Sequence, residues 1–245
     1  MENVNSKIIC SNKYEFLDFG CSGGDSLNRY GELFNIKGKG LGLDINPTKV
    51  QATIDKGFDA QVVDITNLKL DNKVKFIVMH HFLEHIPSLF DVNKIIRVAV
   101  SAVDEFVIIR QPYFDADPYL FSLGLKLYWS DWSGHPNNMT MLELHNVLKP
   151  MAAQGLIKSF AIYGIWPIET SLDPSIHNID SPVDQHQWDK FKHSKKNPVQ
   201  FDFPIYKETM AILDIDGNSI EKVESILSRD KTCKPCNKMF DSKVS

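Results

Sequence analysis

Apolar and polar positions fall in blocks along the chain, and the blocks predict a strand–helix rhythm. Residues 14–19 form a short apolar run ending at Gly20, and 25–34 continue with helical spacing. Residues 40–45 read as a second strand, stopped by Asn46-Pro47, and 48–56 as a helix closed by Gly57. Residues 58–63 make a third strand. Residues 75–80 make a fourth, with the near-continuous apolar run of a strand buried on both faces. A helix over 92–103 and a fifth strand over 105–110 follow. Strand, helix and strand at this spacing predict βαβ units, hence a doubly wound α/β fold with a mostly parallel sheet.

The rhythm breaks at residues 112–138, a stretch rich in aromatics, Asp and Gly. It resumes with a helix over 140–154, opened by the capping-box pattern Thr140-Met-Leu-Glu143, and a sixth strand over 159–165. A second irregular stretch, 166–204, is rich in Pro, Asp, Asn and His. A seventh strand over 207–214, the turn Asp216-Gly217 and a helix over 218–228 complete a single domain, 1–228. Residues 229–245 read as a polar tail, and there are no internal repeats.

Composition narrows the function classes. A hydrophobic content of 43% in 245 residues supports a proper core. The net charge of −4 excludes a polyanion as main partner, because nucleic-acid binders carry a basic excess. No apolar run reaches the ~18 residues of a membrane span, and residues 1–7 lack the apolar centre of a signal peptide, so a cytoplasmic location is expected. Cys10, Cys21, Cys233 and Cys236 do not suggest a disulfide framework. Cys233-Lys-Pro-Cys236 has zinc-ligand spacing but no second pair to complete it.

Chemistry concentrates in Phe16-Leu-Asp18-Phe-Gly20-Cys-Ser-Gly23-Gly24-Asp25, where a strand runs through a glycine turn into a helix. Such a loop brings backbone close to a ligand under free helix-terminal amides. The dinucleotide fingerprint fails, since Ser22 and Asp25 stand where it needs glycine, and no P-loop lysine is present. Asp18 and Asp25 would repel a pyrophosphate and suit a cationic ligand. Asp44, at the next strand end, is placed to accept hydrogen bonds from ribose hydroxyls. Asp64, at the third, could take an adenine amino group. Taken singly, each Asp reads equally well as a helix N-cap.

Leu17-Asp18-Phe19-Gly20-Cys21-Ser22-Gly23-Gly24, Gly42-Leu43-Asp44, Val63-Asp64 and His80-His81-Phe82-Leu83-Glu84-His85-Ile86-Pro87 resemble successive motifs of the class I S-adenosylmethionine (SAM)-dependent methyltransferases. The likeness is to the branch with an LEHI-type segment after the fourth strand, and it covers about residues 14–110. Ser22 departs from it, standing where the family usually has glycine. The resemblance implies a seven-stranded Rossmann-like sheet with the last strand antiparallel and SAM across the C-terminal strand ends. It also implies Asp18 and Gly20 at the methionine moiety, Asp44 at the ribose, Asp64 near adenine and His80 near the methyl group. Cys21, Ser22 and Gly24 in the loop, with Ile45 and Ile65 beside the two acids, complete the expected cofactor set.

The inserts at 112–138 and 166–204 follow strands five and six, so both are expected over the C-terminal edge, roofing an acceptor pocket. Arg110, Tyr113, Trp129, Asp131 and Trp132 are the candidate substrate residues, because aromatic faces with acidic and amide groups suit sugar rings. The same Trp and Tyr side chains could instead anchor a long loop, and Arg110 could pair with Asp131 or Glu84. His81, His85, His135 and Asp131 are candidates for a base, with His135 preferred. Carboxylates look scattered late in the chain, so no metal is expected. The leading expectation is O-methylation of a carbohydrate hydroxyl, as on a surface-polysaccharide precursor. The alternatives are a small natural product or quinone-like ring as acceptor, or a non-catalytic SAM-fold module.

Overall fold

A computed structural model describes residues 8–9, 12–229 and 237–243. Its main sheet comprises β1 (Phe16–Phe19), β2 (Gly40–Asp44), β3 (Asp59–Val62), β4 (Val74–His80), β5 (Val103–Pro112), β6 (Ser159–Thr170), β7 (Gln200–Asp214) and β8 (Asn237–Asp241). The spatial order is β8-β6-β7-β5-β4-β1-β2-β3. Strands β3, β2, β1, β4 and β5 pair in parallel, whereas β7 lies antiparallel between β5 and β6, and β8 is antiparallel to β6. The chain thus winds outward from β1 to β3 and returns to β4 on the other side. Such a reversal opens a crevice at the carboxyl ends of β1 and β4.

Alternation along each strand feeds two cores. Phe16, Phe76, Val78, Phe106, Ile108, Met210 and Ile212 face one side, with Leu27 and Tyr30 of α1 (Asp25–Leu33) and Val223 of α6 (Ser219–Leu227). Leu17, Ile77, Met79, Val107, Ile109 and Leu213 face the other, under α3 (Leu89–Ser101) and α5 (Met141–Ala153). Helix starts follow local chemistry. The Asn46 side chain caps α2 (Pro47–Asp55), Ser88 caps α3, and Thr140 with Glu143 forms the expected capping box of α5.

Two features differ from the sequence reading. The sheet has eight strands rather than seven, because part of the segment expected as a polar tail pairs with β6. Phe240 anchors that strand, stacking on Phe160 at 5.2 Å and meeting His145 at 4.6 Å. One aromatic among charges is too weak a pattern to announce a strand. The second insert is also shorter than 166–204, since β6 continues to Thr170 and β7 starts at Gln200. The partner strand supplies ladder bonds where the sequence shows Pro and polar residues, and Pro204 falls at a register shift between Gln200 and Ile205. What remains of the two inserts is tied together by an antiparallel pair, Leu125–Leu127 with Ile176–Asn178. The first insert also carries a short helix, α4 (Asp117–Ser122). No helix among the described residues is long and apolar enough to cross a membrane. Cys10, Cys233 and Cys236 lie outside the described residues, so the zinc spacing stays a sequence observation.

Candidate active site

The glycine loop turns where backbone alone can turn. Gly20 has φ +74°, and a Cβ there would lie 2.4 Å from the Phe82 ring. Gly24 has φ +84° and precedes α1 without any side-chain cap, so the first-turn amides of the helix receive no side-chain acceptor at that position. Ser22 also sits in the left-handed region, at φ 47°, which explains why glycine is the easier residue at this place. Its N–H donates to Asp44 Oδ2 at 3.1 Å, and its carbonyl accepts from Thr53 Oγ1 at 2.7 Å. Cys21 is buried against Gly42, where a Cβ would lie 2.7 Å from its sulfur.

A cavity of about 1040 Å³ runs along this loop across the ends of β1, β2 and β4. Gly20, Cys21, Ser22, Asp44, Ile45, Asp64, Ile65 and His80 all line it. Asp44 and Asp64 do cap local backbone as well: Asp44 Oδ1 accepts from Asn46 N at 2.9 Å, and Asp64 Oδ1 from Thr66 N at 3.0 Å. The capping and ligand readings therefore coexist in the same side chains. Asp18 is completely buried beneath the loop. Ser26 donates to one of its oxygens, while Oδ1 has no hydrogen-bond partner. Burial, with Asp44 nearby, pushes the Asp18 carboxyl up to about 7. Arg29 and Lys49 also line the cavity, and their positions carried no motif.

At the far end of β4 the chain makes a strained step. His81 has φ +51°, uncommon for a residue with a side chain and a conformation that active sites can hold. Its N–H donates to the Arg110 carbonyl at 2.8 Å. Its Nε2 stands 3.1 Å from Glu208 Oε1 and its Nδ1 3.4 Å from Glu84 Oε1. Burial opposes charge on His81, but the hydrogen bond to Glu208 and the neighbouring Glu84 more than offset it and raise the imidazole to about 9. Glu208 pairs in turn with Arg110; burial would raise its carboxyl, but His81 and Arg110 hold it down near 2. His80 goes the other way: burial, then the charges of Arg110 and His81, push it well below the usual imidazole range.

A second cavity of about 390 Å³ shares His81 and His85 with the first. Tyr128, Trp129, Trp132 and His135 from the first insert, Trp166 from β6, and Ser175 and His186 from the second insert form its wall with Glu84 and Glu208. Both inserts therefore cover the carboxyl edge. Trp129 and Trp132 are at the wall, but three other substrate candidates are elsewhere. Arg110 is wholly buried, bound to Glu208 and beneath the Trp166 ring at 4.7 Å. Tyr113 is buried and donates to the Pro204 carbonyl at 3.1 Å. Asp131 pairs with Lys126 at 2.6 Å, off the cavity wall, which also removes it as a base candidate. These three were proposed from composition, which gives no direction to a side chain. Sequence reading missed Glu208, Trp166 and His186. A lone Glu amid the apolar run of β7 was the available signal for the first.

His135 and His85 are brought together, their ring centres 5.1 Å apart. His85 Nδ1 is 2.6 Å from the Gly134 carbonyl, and His135 Nδ1 is 3.1 Å from the Trp129 carbonyl. A carbonyl only accepts, so each Nδ1 donates and each Nε2 carries the lone pair.

No protein-family model and no curated protein matches the chain. Solved structures do match its fold. The plantazolicin methyltransferase BpumL, in complex with a pentazolic desmethylPZN analog and SAH, is 12% identical, with TM-score 0.52 over 82% of this chain and 76% of its own. A SAM-dependent methyltransferase from Methanosarcina mazei is 15% identical, with TM-score 0.47 over 81% of this chain and 91% of its own. The sugar N-methyltransferase KedS8 from Streptoalloteichus is 13% identical, with TM-score 0.37 over 42% of this chain and 43% of its own, so this chain spans less than half of that protein. The strand order and the likeness to the BpumL structure define the architecture: this chain has the fold of the class I SAM-dependent methyltransferases.

Proposed function

We propose that the chain is a SAM-dependent methyltransferase acting on a hydroxyl of a carbohydrate, of the kind found in surface-polysaccharide precursors. The observation that carries this reading is the meeting, at His81 and His85, of a long acidic cavity under a glycine loop and an aromatic-walled one. The first cavity fits the cofactor. Asp44 would accept from the ribose hydroxyls, Asp64 with Ile45 and Ile65 would hold the adenine, and Gly20 would stand at the methionine moiety with Asp18 buried beneath it. Bound SAM supplies a methyl group already activated on a sulfonium. The chain's own work is to align the acceptor oxygen, exclude water and deal with the hydroxyl proton. Tyr128, Trp129, Trp132 and Trp166 offer flat faces for sugar C–H groups, with Glu84, His85 and His135 at the polar end.

SAM should raise the melting temperature of the purified protein, because it binds only the native state. Asp44→Ala should abolish that rise. Labelled methyl transfer to nucleotide sugars or lipid-linked glycans, and not to small phenols, is the expected outcome of an acceptor screen. Label on phenols alone would replace the carbohydrate reading with the small-molecule one. A wild-type protein that SAM does not stabilise would remove both.

A further inference from the structure

We propose that Glu84, His85 and His135 bind one divalent transition-metal ion at the polar end of the aromatic cavity. One candidate ligand atom from each residue lies within 4.8 Å of the other two. An ion with bonds of about 2.0–2.2 Å would draw them together. Carboxylates looked scattered in the sequence; the fold gathers one of them with two imidazoles separated from each other by fifty residues of chain.

Three further features point to an ion rather than to ordinary packing. Both histidines donate Nδ1–H to a backbone carbonyl, which fixes the tautomer and leaves the lone pair on Nε2. Metal-binding imidazoles are held in this way. Glu84 is 1% exposed, and neither of its carboxylate oxygens accepts a hydrogen bond. His81 approaches it at 3.4 Å but stands nearer to Glu208, at 3.1 Å, so one ring is divided between two carboxylates. A buried carboxylate left without hydrogen bonds is costly. Finally, the first insert is clasped to the turn that carries the ligands. Asn137 N–H donates to the Glu84 carbonyl, and its side-chain amide to the Leu83 carbonyl, each at 3.3 Å. His135 is thereby held over Glu84 and His85 before any ligand arrives.

Two imidazoles and one carboxylate suit zinc, cobalt or manganese, whereas calcium and magnesium prefer oxygen alone. Three protein ligands leave a coordination position free. All three residues line the aromatic cavity, so the free position opens where an acceptor oxygen would sit. That role rests on the acceptor reading above; ion binding itself does not.

The test uses the full chain, stripped with a chelator and titrated with Co²⁺ in the absence of SAM and acceptor. The expected result is one ion per chain, with visible d–d absorption. His135→Gln and Glu84→Gln should each weaken binding more than ~100-fold, beyond the 10–100-fold typical of losing an outer partner. A Cys233→Ser/Cys236→Ser variant should bind as the wild type does. A SAM-induced rise in melting temperature retained by His135→Gln would certify its fold, and that variant decides the matter if Glu84→Gln does not fold. No uptake by the wild type overturns the proposal. So does unchanged uptake by His135→Gln, or uptake lost only in the cysteine variant. Failure of SAM to stabilise the wild type would sink the methyltransferase reading and leave ion binding standing.

Discussion

Asp18 shows how much one buried side chain can contribute to the behaviour of the site. Its carboxyl is raised to about 7, mainly by burial, whereas an unfolded aspartate titrates near ~3.9. The folded state therefore binds this proton more tightly than the unfolded state does. The associated stability is fully present below about pH 4 and is lost as pH rises towards 7. Asp18→Asn cannot ionise, so the ligand-free variant should gain on the wild type between pH 4 and pH 8 in denaturant titrations. An equal difference at both pH values would mean that Asp18 is not neutral in the folded protein. The motif singled out Asp18 in the sequence, but its unpartnered oxygen depends on a loop folded over it. Glu208 is the converse case. Its place in the apolar run of β7 is the one local mark, and its partners Arg110 and His81 lie about a hundred residues or more away along the chain.

Elements with local chemistry were legible. The box Thr140-Met-Leu-Glu143 is realised as read, with the Glu143 N–H donating to Thr140 Oγ1 at 3.2 Å and the Thr140 N–H to Glu143 Oε2 at 2.8 Å. Thr140→Ala should cost about 1 kcal/mol in urea unfolding, the usual value of an N-cap. A null effect would mean that tertiary packing alone holds the start of α5. Elements defined by partners were not legible. The extension of β6 to Thr170 passes through Trp166 at φ 56° and Pro167, which read as irregular in isolation. Its antiparallel ladder with β7 overrides that local preference. The pairing of Leu125–Leu127 with Ile176–Asn178 was equally invisible, since two three-residue runs fifty residues apart carry no signal of each other.

Over the whole molecule, the cofactor cavity and the added edge strand stand at opposite ends of one sheet. Among the described residues β8 forms its ladder with β6 and reaches β7 through Tyr206, whereas the cavity is built on β1, β2 and β4. Removing residues 230–245 should therefore lower stability by about 1–2 kcal/mol, the apolar burial around Phe240, and leave the SAM-induced rise in melting temperature unchanged. Loss of that rise would mean that the edge strand supports the site after all. The periodic apolar runs made the fold class legible from sequence alone, and the ordered acids Asp18, Asp44 and Asp64 pointed to a cofactor site there, because each signal lies within one βαβ step. The second cavity was decided only by tertiary structure. Its wall is drawn from the turn after β4, both inserts, β6 and β7, and composition could name aromatic side chains without saying which of them point inward. The convergence of Glu84, His85 and His135 has the same origin: the insert must fold back over β4 before three ordinary residues become one site.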